Sequence, residues 1–166
     1  MKKGLTAALI VLLLDRITKN IILHFFTASP EPVEVAPFFN LVLRWNRGIS
    51  FSMFHSQPLA PYVLTGVALL ICGIIFHWMM QETDKANQLF FGLILGGAFG
   101  NIVDRLRFGA VVDFLDFHIG LYAWPAFNVA DSAVCVGAFS LFIWNVFVQH
   151  NETAPETPDT EKESKQ

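Results

Sequence analysis

The sequence predicts an all-α membrane protein with four transmembrane helices, a small β-hairpin outside the membrane and an interfacial helix. Two observations support this fold class. Hydrophobic residues make up 54% of the 166 residues and charged residues only 15%, whereas soluble domains average about 25% charged residues. Four apolar segments, each close to the roughly 20 residues needed to cross the hydrocarbon core, occupy most of residues 1–150. Lipid is therefore the expected solvent for most of the surface.

The first predicted span, residues 4–26, differs from the others because three charged residues fall between positions 15 and 19. Its basic start and apolar run are similar to a signal peptide, but no clean cleavage site follows, so we expect it to be retained. Of the other three spans, the second has no charge, the third has none before Asp104 and the fourth has none after Asp131. They cover residues 59–80, 87–107 and 126–148.

The connector after the first span contains a hairpin signal. Apolar and polar residues alternate over positions 39–45, a turn-forming Asn46-Arg47-Gly48 follows, and the alternation resumes at Ile49. This pattern predicts a β-hairpin, a cradle spanning about residues 36–56.

Two further segments complete the predicted domain organisation of residues 1–150. Paired apolar residues in the connector at about 108–118 suggest an amphipathic helix lying at the membrane interface. The tail, residues 151–166, is rich in Glu, Thr, Pro and Lys and cannot bury enough apolar surface to fold, so we predict a disordered acidic tail.

An even number of spans places both termini on one side of the membrane. Basic residues near the span ends number three on the N-terminal side and four on the other, so charge counting leaves the orientation open. Because the first span often dominates, we expect cytoplasmic termini. The sequence has no basic block for nucleic acid and no Cys/His spacing for a metal. Cys72 and Cys135 are expected to be buried free thiols.

Polar residues gather at the membrane face opposite the N-terminus. Helical rise places Asp15 about 16 Å into the first span and Asp131 about 8 Å below the far face. The inner span ends carry no comparable cluster. Intramembrane charges are costly and are functional candidates by default. The other residues predicted near this face are Asn46, Asn101, Asp104, Arg105, Asp113 and Asp116.

Helical spacing predicts specific neighbours among these residues. Asp15 and Lys19 are four residues apart, so they share a helix face and can neutralise each other; a structural and a functional role remain equally open for this pair. Asn101 and Arg105 share a face in the same way. Gly92, Gly96 and Gly100 form a stripe of small residues that lets a neighbouring helix approach closely.

Two carboxylates at the far face suggest acid–base chemistry. If Asp113 and Asp131 meet there, they cannot both ionise easily, and the pair supplies an acid and a base together. Such a pair can activate water for attack on a peptide carbonyl and protonate the leaving amine. On spacing alone, Asp104 and Asp116 compete for the same role.

Five blocks of sequence resemble conserved elements of lipoprotein signal peptidase, also called signal peptidase II, in the family's order over about residues 4–148. They are Asp15 with Lys19 (DxxxK), Asn46-Arg47-Gly48 followed by Phe51-Ser52 (NxGxxFS), residues 96–105 (GGAxGNxxDR), residues 111–114 (VVDF) and residues 127–132 (FNxADS). Two stretches depart from the expected pattern: Ile49-Ser50 after the glycine, and residues 118–124.

The resemblance implies a metal-independent aspartic endopeptidase, without cofactors, of the bacterial inner membrane. The family cuts signal peptides from prolipoproteins just before the diacylglyceryl-modified cysteine, near the periplasmic face. The matches imply that Asp113 and Asp131 are the catalytic pair and that Asp15 and Lys19 support the site. The residues implied to bind substrate or support the site are Asn46, Gly48, Asn101, Arg105, Asn128 and Ala130. The expected partners are prolipoprotein substrates and membrane lipid, and the expected state is a monomer.

Two rival classes remain at this stage. A small transporter or proton relay could use Asp15, Asp104 and Asp131, although a relay needs acids through the full membrane depth. A non-catalytic bundle could bind lipid or a partner helix, and would then tolerate Asp113→Asn and Asp131→Asn.

Overall fold

The computed structural model describes residues 1–48, 59–120 and 122–148. In this part of the chain, four α-helices combine with one four-stranded antiparallel sheet in the order β1-β2-β3-β4. The elements are α1 (Lys2–Ala28), β1 (Val33–Ala36), β2 (Phe39–Asn46), α2 (Ala60–Gln81), α3 (Lys85–Phe108), β3 (Val111–Ile119), β4 (Tyr122–Ala123) and α4 (Val129–Ile143), which a π-helical turn (Trp144–Val148) continues.

Three helices of the described residues, namely α2, α3 and α4 with its π-helical turn, are long and apolar enough to cross a membrane. Their outer faces expose large apolar side chains such as Leu70 and Phe139, each 68% exposed, which is the surface expected in contact with lipid. Helix α1 is 27 residues long, but its central charges keep it out of this group. The sequence predicted four spans, and the composition of the helices supports three.

Helix α3 is the centre of the bundle, with α1 on one side and α4 on another. A Cβ atom added at Gly92 or Gly96 would collide with the backbone of α1, and one added at Gly97 would collide with Ala130 of α4. The predicted glycine stripe is confirmed at Gly92 and Gly96, because the missing side chains are what allow the helix backbones to approach so closely. Gly97 lies outside that stripe and plays the same part towards α4.

The predicted interfacial helix at 108–118 is wrong. Residues 111–119 form strand β3, which pairs antiparallel with β2 so that Asn46 lies opposite Val111 and Arg44 opposite Asp113. Val111, Val112 and Phe114 are buried. β-branched and aromatic residues favour strands. Strand β2, about 70 positions earlier in the chain, supplies the backbone hydrogen-bond partners that β3 needs, whereas an interfacial helix would have formed its backbone hydrogen bonds within itself.

Strand β2 is confirmed at Phe39–Asn46, but its partners are β1 and β3. The predicted return strand from Ile49 onward lies outside the described residues, as does the predicted disordered tail at 151–166. The cysteines differ from each other: Cys72 is buried as predicted, whereas Cys135 is exposed on the apolar surface of α4.

The end of the helix bundle opposite the sheet contains a polar network that the sequence did not predict. The side chain of Asp84 caps α3 and accepts a hydrogen bond from Trp144 Nε1 at 3.2 Å. Asn87 donates to Glu82 at 3.0 Å and to Asn145 at 3.3 Å. These hydrogen bonds join the α2–α3 loop to the end of α4. They also supply the partners that buried polar groups need.

Candidate active site

Asp113 and Asp131 reach the site from different elements, at the end of the bundle that carries the sheet. Asp113 is on β3 and is 2% exposed, while Asp131 occupies the third position of α4. Asn128 connects them. Its side-chain amide donates to Asp113 Oδ1 at 2.7 Å, and its Oδ1 accepts from the backbone N–H of Asp131 at 2.9 Å. The structure therefore brings together the two carboxylates that the sequence paired.

Asn128 holds Asp131 by a reciprocal helix cap. The backbone N–H of Asn128 donates to Asp131 Oδ2 at 3.2 Å, which completes a capping box at the start of α4. Such a box satisfies two backbone donors that the first helical turn leaves free. The same residue thus fixes the beginning of α4 and the orientation of one carboxylate.

Asn101 of α3 binds the other oxygen of Asp131. Its amide donates to Asp131 Oδ1 at 2.7 Å, and its Oδ1 accepts from Lys19 Nζ at 3.0 Å. An ammonium group can only donate hydrogen bonds, so Lys19 requires the oxygen of Asn101 to face it. The amide nitrogen must then point towards Asp131.

Asn46 supplies the second donor to Asp113. Its amide donates to Asp113 Oδ2 at 2.9 Å, and its Oδ1 accepts from the backbone N–H of Gly48 at 2.8 Å. Gly48 has a φ of +83°, a conformation that glycine adopts at little cost. The Asn-x-Gly element therefore orients one side chain of the site.

A cluster of four charges lies beneath the two carboxylates. Lys19 Nζ is 3.0 Å from Asp15 Oδ1 and 2.8 Å from Asp104 Oδ2, and Arg16 lies 2.8 Å from Asp15 and 2.7 Å from Asp104. Two acids and two bases balance their charges. The predicted Asp15–Lys19 pair is confirmed, whereas Arg16 was not expected here; its place next to Asp15 was the only sequence signal.

This charge cluster also anchors the elements that carry the site. Asp15 Oδ1 accepts from the backbone N–H of Ala130 in the first turn of α4, at 3.1 Å. Asp104 Oδ2 accepts from the backbone N–H of Val112, next to Asp113, at 3.2 Å. Because each carboxylate bonds an adjacent backbone group, the cluster fixes both strand β3 and helix α4 relative to α1 and α3.

Arg105 interacts electrostatically with the two carboxylates and has no close ion-pair partner among the described residues. It is half-buried, and its charge interacts favourably with Asp131, Asp113 and Asp104. Its Nε is buried without a hydrogen-bond partner in the described part of the chain. A guanidinium with unused donors beside two carboxylates can bind a carbonyl oxygen or an oxyanion.

The environment of Asp113 favours its protonated form. Burial is the largest cause of a raised pKa at this carboxyl group, and the negative charge of Asp131 adds to it, while hydrogen bonds from Asn46 and Asn128 oppose the shift. The net result is a rise in the pKa from 3.8 to about 6. A carboxyl group with a raised pKa beside a second carboxylate is the arrangement expected of an acid–base pair.

The competing acids have other environments. Asp104 is committed to the charge cluster. Asp116, further along β3, is partly exposed and is contacted by the Asn40 amide only at 3.5 Å. Within the described residues, no group of three or more His, Cys, Asp or Glu side chains could hold a metal ion.

The chain is similar to known proteins over most of its length. Residues 7–147 match the family described as signal peptidase (SPase) II. The chain belongs to the signal peptidase II family. It is 39% identical to a lipoprotein signal peptidase of a Methylobacterium species, over 94% of this chain and 96% of that protein. A lipoprotein signal peptidase of Azoarcus is 44% identical over 84% and 80% of the two chains.

Solved structures extend the likeness to the fold. Two structures described as a bacterial membrane enzyme, determined by the in meso method, superpose with TM-scores of 0.71 and 0.73 at 26% identity. They cover 95% and 89% of this chain and 95% of each solved chain. A signal peptidase II family member with three apolar helices is thus a membrane peptidase with bacterial relatives, and removal of signal peptides from prolipoproteins is its family's activity.

Proposed function

We propose that this protein is an aspartic endopeptidase of the bacterial inner membrane that removes signal peptides from diacylglyceryl-modified prolipoproteins, cleaving before the lipidated cysteine. Family membership supplies the peptidase activity and the substrate class. The aspartic mechanism and the assignment of Asp113 and Asp131 as catalytic residues are our inference. The observation that carries it is the bridge through Asn128, which binds one carboxylate by its side chain and the other through a helix cap.

In the proposed reaction, the carboxyl groups of Asp113 and Asp131 share one proton, so one acts as a base and the other as an acid. The ionised carboxylate takes a proton from water while the water oxygen bonds to the scissile carbonyl carbon. The protonated partner then gives its proton to the amide nitrogen as the carbon–nitrogen bond breaks, releasing an amine and an acid. Burial and mutual repulsion favour the protonated form of one of the two carboxyl groups. We assign to Arg105, whose charge interacts with both carboxylates, the stabilisation of the negative oxygen of the intermediate.

The substrate's extended backbone needs hydrogen-bond partners near the membrane. Asn46 and Asn128 hold the carboxylates and present amide groups beside them, with Gly48 shaping the turn next to Asn46. Asn101, Ala130, Asp15 and Lys19 support the site from beneath. The 0% exposed Ala130 leaves no room for a larger side chain between α3 and α4.

We infer a fourth span for α1. Its length matches that of the other three helices, and the charges that interrupt it face the interior, where Asp15 and Lys19 are 0% and 1% exposed. Its outward residues, such as Leu13 and Ile17, are apolar and exposed. Buried, mutually neutralised charges do not prevent a helix from crossing a bilayer. Four spans would put both termini on one side of the membrane. We propose that this side is the cytoplasm, that the site lies near the periplasmic face and that the protein acts as a monomer.

The decisive experiment is proteolysis by purified variants in detergent. Asp113→Asn and Asp131→Asn should each abolish cleavage of a diacylglyceryl-modified prolipoprotein, followed by gel shift, while retaining the wild-type elution volume and a cooperative thermal unfolding transition. Asp116→Asn is the matched control on the same strand and should cleave normally. Normal cleavage by both single variants would eliminate the aspartic mechanism.

A further inference from the structure

The hairpin formed by β3 and β4 extends beyond the site and carries an apolar surface with no partner in the described residues. Ile119, Tyr122 and Trp124 are 81%, 86% and 69% exposed. Together with Phe117 and Phe127 they line an open apolar groove of about 690 Å³. We call Ile119, Tyr122 and Trp124 the hairpin tip. Monomeric soluble surfaces rarely carry large contiguous apolar patches, so a patch of this kind marks an interaction surface.

The composition of this segment is unlike that of a strand facing water. Residues 117–127 contain no Asp, Glu, Lys or Arg. Exposed edge strands in water are usually protected by charges or covered, and β4 has only two residues paired to β3. A Trp, a Tyr and an Ile with no charge nearby are instead typical of the boundary between lipid headgroups and acyl chains, where Trp and Tyr are enriched.

The position of the hairpin in the fold is consistent with a location at the boundary between lipid headgroups and acyl chains. Its first strand begins three residues after α3 ends at Phe108, and its last residues lead into α4, which begins at Val129. Both helices are apolar enough to span a membrane. The hairpin is therefore connected at both ends to the sheet end of two helices that are apolar enough to span a membrane.

The internal packing makes the hairpin a rigid extension. Phe117 stacks on Phe39 at 4.6 Å and on Phe127 at 5.8 Å between ring centres. The backbone N–H of Trp124 donates to the carbonyl of Phe117 at 2.8 Å. Strand residues rise about 3.4 Å each, so Ile119 lies roughly 20 Å along β3 from Asp113, on the same face of the strand.

We propose that the hairpin tip is a membrane anchor that inserts Ile119, Tyr122 and Trp124 into the phospholipid leaflet next to the active site. The occupant of the groove is bulk phospholipid, and no covalent or chemical step is involved. Because β3 carries Asp113 at its other end, anchoring the tip fixes the height of that carboxyl group relative to the bilayer surface.

Trp124 provides the probe. Full-length protein and Trp124→Phe are reconstituted into phosphatidylethanolamine–phosphatidylglycerol vesicles, and the difference between their emission spectra isolates Trp124. That difference should be blue-shifted, quenched most strongly by lipids brominated near the headgroup, and insensitive to aqueous iodide. Trp78→Phe, which reports a 55% exposed position on the spanning helix α2, is the reference for a residue in contact with lipid.

Three results would overturn the proposal. Strong iodide quenching without bromine quenching would place the tip in water. Protection from iodide only after a lipidated substrate peptide is added would make the groove a substrate site. Protection that disappears when the protein is diluted with excess lipid would mean that a second copy covers the tip. All three readouts are independent of peptidase activity, so they do not depend on the proposed catalytic pair.

A function-linked variant completes the test. Replacing the tip together, as Ile119→Ser, Tyr122→Ser and Trp124→Ser, should leave cleavage in detergent unchanged and slow it in vesicles, because only a bilayer supplies the surface that the tip occupies. The matched control is Val35→Ser, which removes an exposed apolar residue from β1, at the far edge of the sheet. Equal rates of the triple variant and wild type in vesicles would contradict an anchoring role.

Discussion

The side-chain amide of Asn128 lies 2.7 Å from Asp113 Oδ1, so the residue that caps helix α4 also binds the carboxyl group carried by strand β3. Asn128 is completely buried, and its remaining amide hydrogen bonds reach the carbonyl of Val112 and the side chain of Asn101. One residue therefore joins a strand and two helices. Because the side chain of Asn128 is buried and hydrogen-bonded to several elements, the geometry of the site depends on this amide group.

Asn128→Ala should be costly for this reason. It removes a helix cap, worth about 1 kcal/mol, and a hydrogen bond to an ionisable group, worth about 1.5–3 kcal/mol. We expect the free energy of unfolding in detergent to fall by about 2–4 kcal/mol, with loss of most cleavage activity. Asn40→Ala, which removes only a long contact to Asp116, should change both quantities little. A similar loss in the two variants would argue against the bridging role of Asn128.

The raised pKa of Asp113 predicts a specific dependence of stability on pH. A carboxyl group with a pKa of about 6 when folded and 3.8 when unfolded binds its proton more tightly in the folded protein. Its stabilising contribution is therefore complete below pH 3.8 and is lost as the pH rises through about 6. The difference corresponds to about 3 kcal/mol.

Asp113→Asn removes this titration. The variant should be more stable than wild type at pH values above about 6, and the advantage should shrink as the pH falls towards 3.8, as measured by thermal unfolding in detergent across that range. Gly73→Ala, remote from the site on α2, should follow the wild-type pH dependence. A stability difference between Asp113→Asn and wild type that does not change with pH would mean that the carboxyl group is not perturbed as described.

The close approach of α1, α3 and α4 predicts that Gly100 tolerates no side chain. A Cβ atom at this position would lie 2.6 Å from Asp15 Oδ2 and 3.2 Å from Ala130 Cβ. Gly100→Ala should lower stability by about 1–3 kcal/mol, because a well-packed interior resists overpacking, and should reduce cleavage by displacing Asp15. Gly73→Ala is the matched control, since nothing lies within 4 Å of its added Cβ. Equal melting temperatures for the two variants would be inconsistent with the described packing.

The charge cluster predicts a large effect for Lys19. Lys19→Met leaves the buried carboxylates of Asp15 and Asp104 with Arg16 alone, and breaking a buried ion pair from one side costs about 3–5 kcal/mol. Cleavage should fall as well, because Lys19 sets the orientation of the Asn101 amide that binds Asp131. Lys3→Met changes an exposed lysine of the same helix and should leave unfolding and cleavage unaltered. A wild-type melting temperature for Lys19→Met would show that the cluster contributes little.

The part of the site that depends on short-range spacing could be predicted from the sequence. The pairing of Asp15 with Lys19, the glycine stripe on α3 and strand β2 all follow from local periodicity. The resemblance of the motif blocks to a known family, rather than spacing, singled out Asp113, Asp131 and their asparagine neighbours, which the structure places in one hydrogen-bonded group. What these features have in common is that each is carried by residues a few positions apart.

The sequence by itself determined that the protein is built from apolar helices in lipid and that its candidate catalytic residues fall at one end of the spans. Only the tertiary structure decided that residues 111–119 form a strand and that Arg16 and Asp104 share the buried charge cluster. It also decided that Asn87 meets Asn145 at the opposite end. The physical reason is distance along the chain: a strand needs a hydrogen-bonding partner, and a buried charge needs a counter-ion. In this protein those partners lie tens of residues away along the chain, beyond the range of any local sequence pattern.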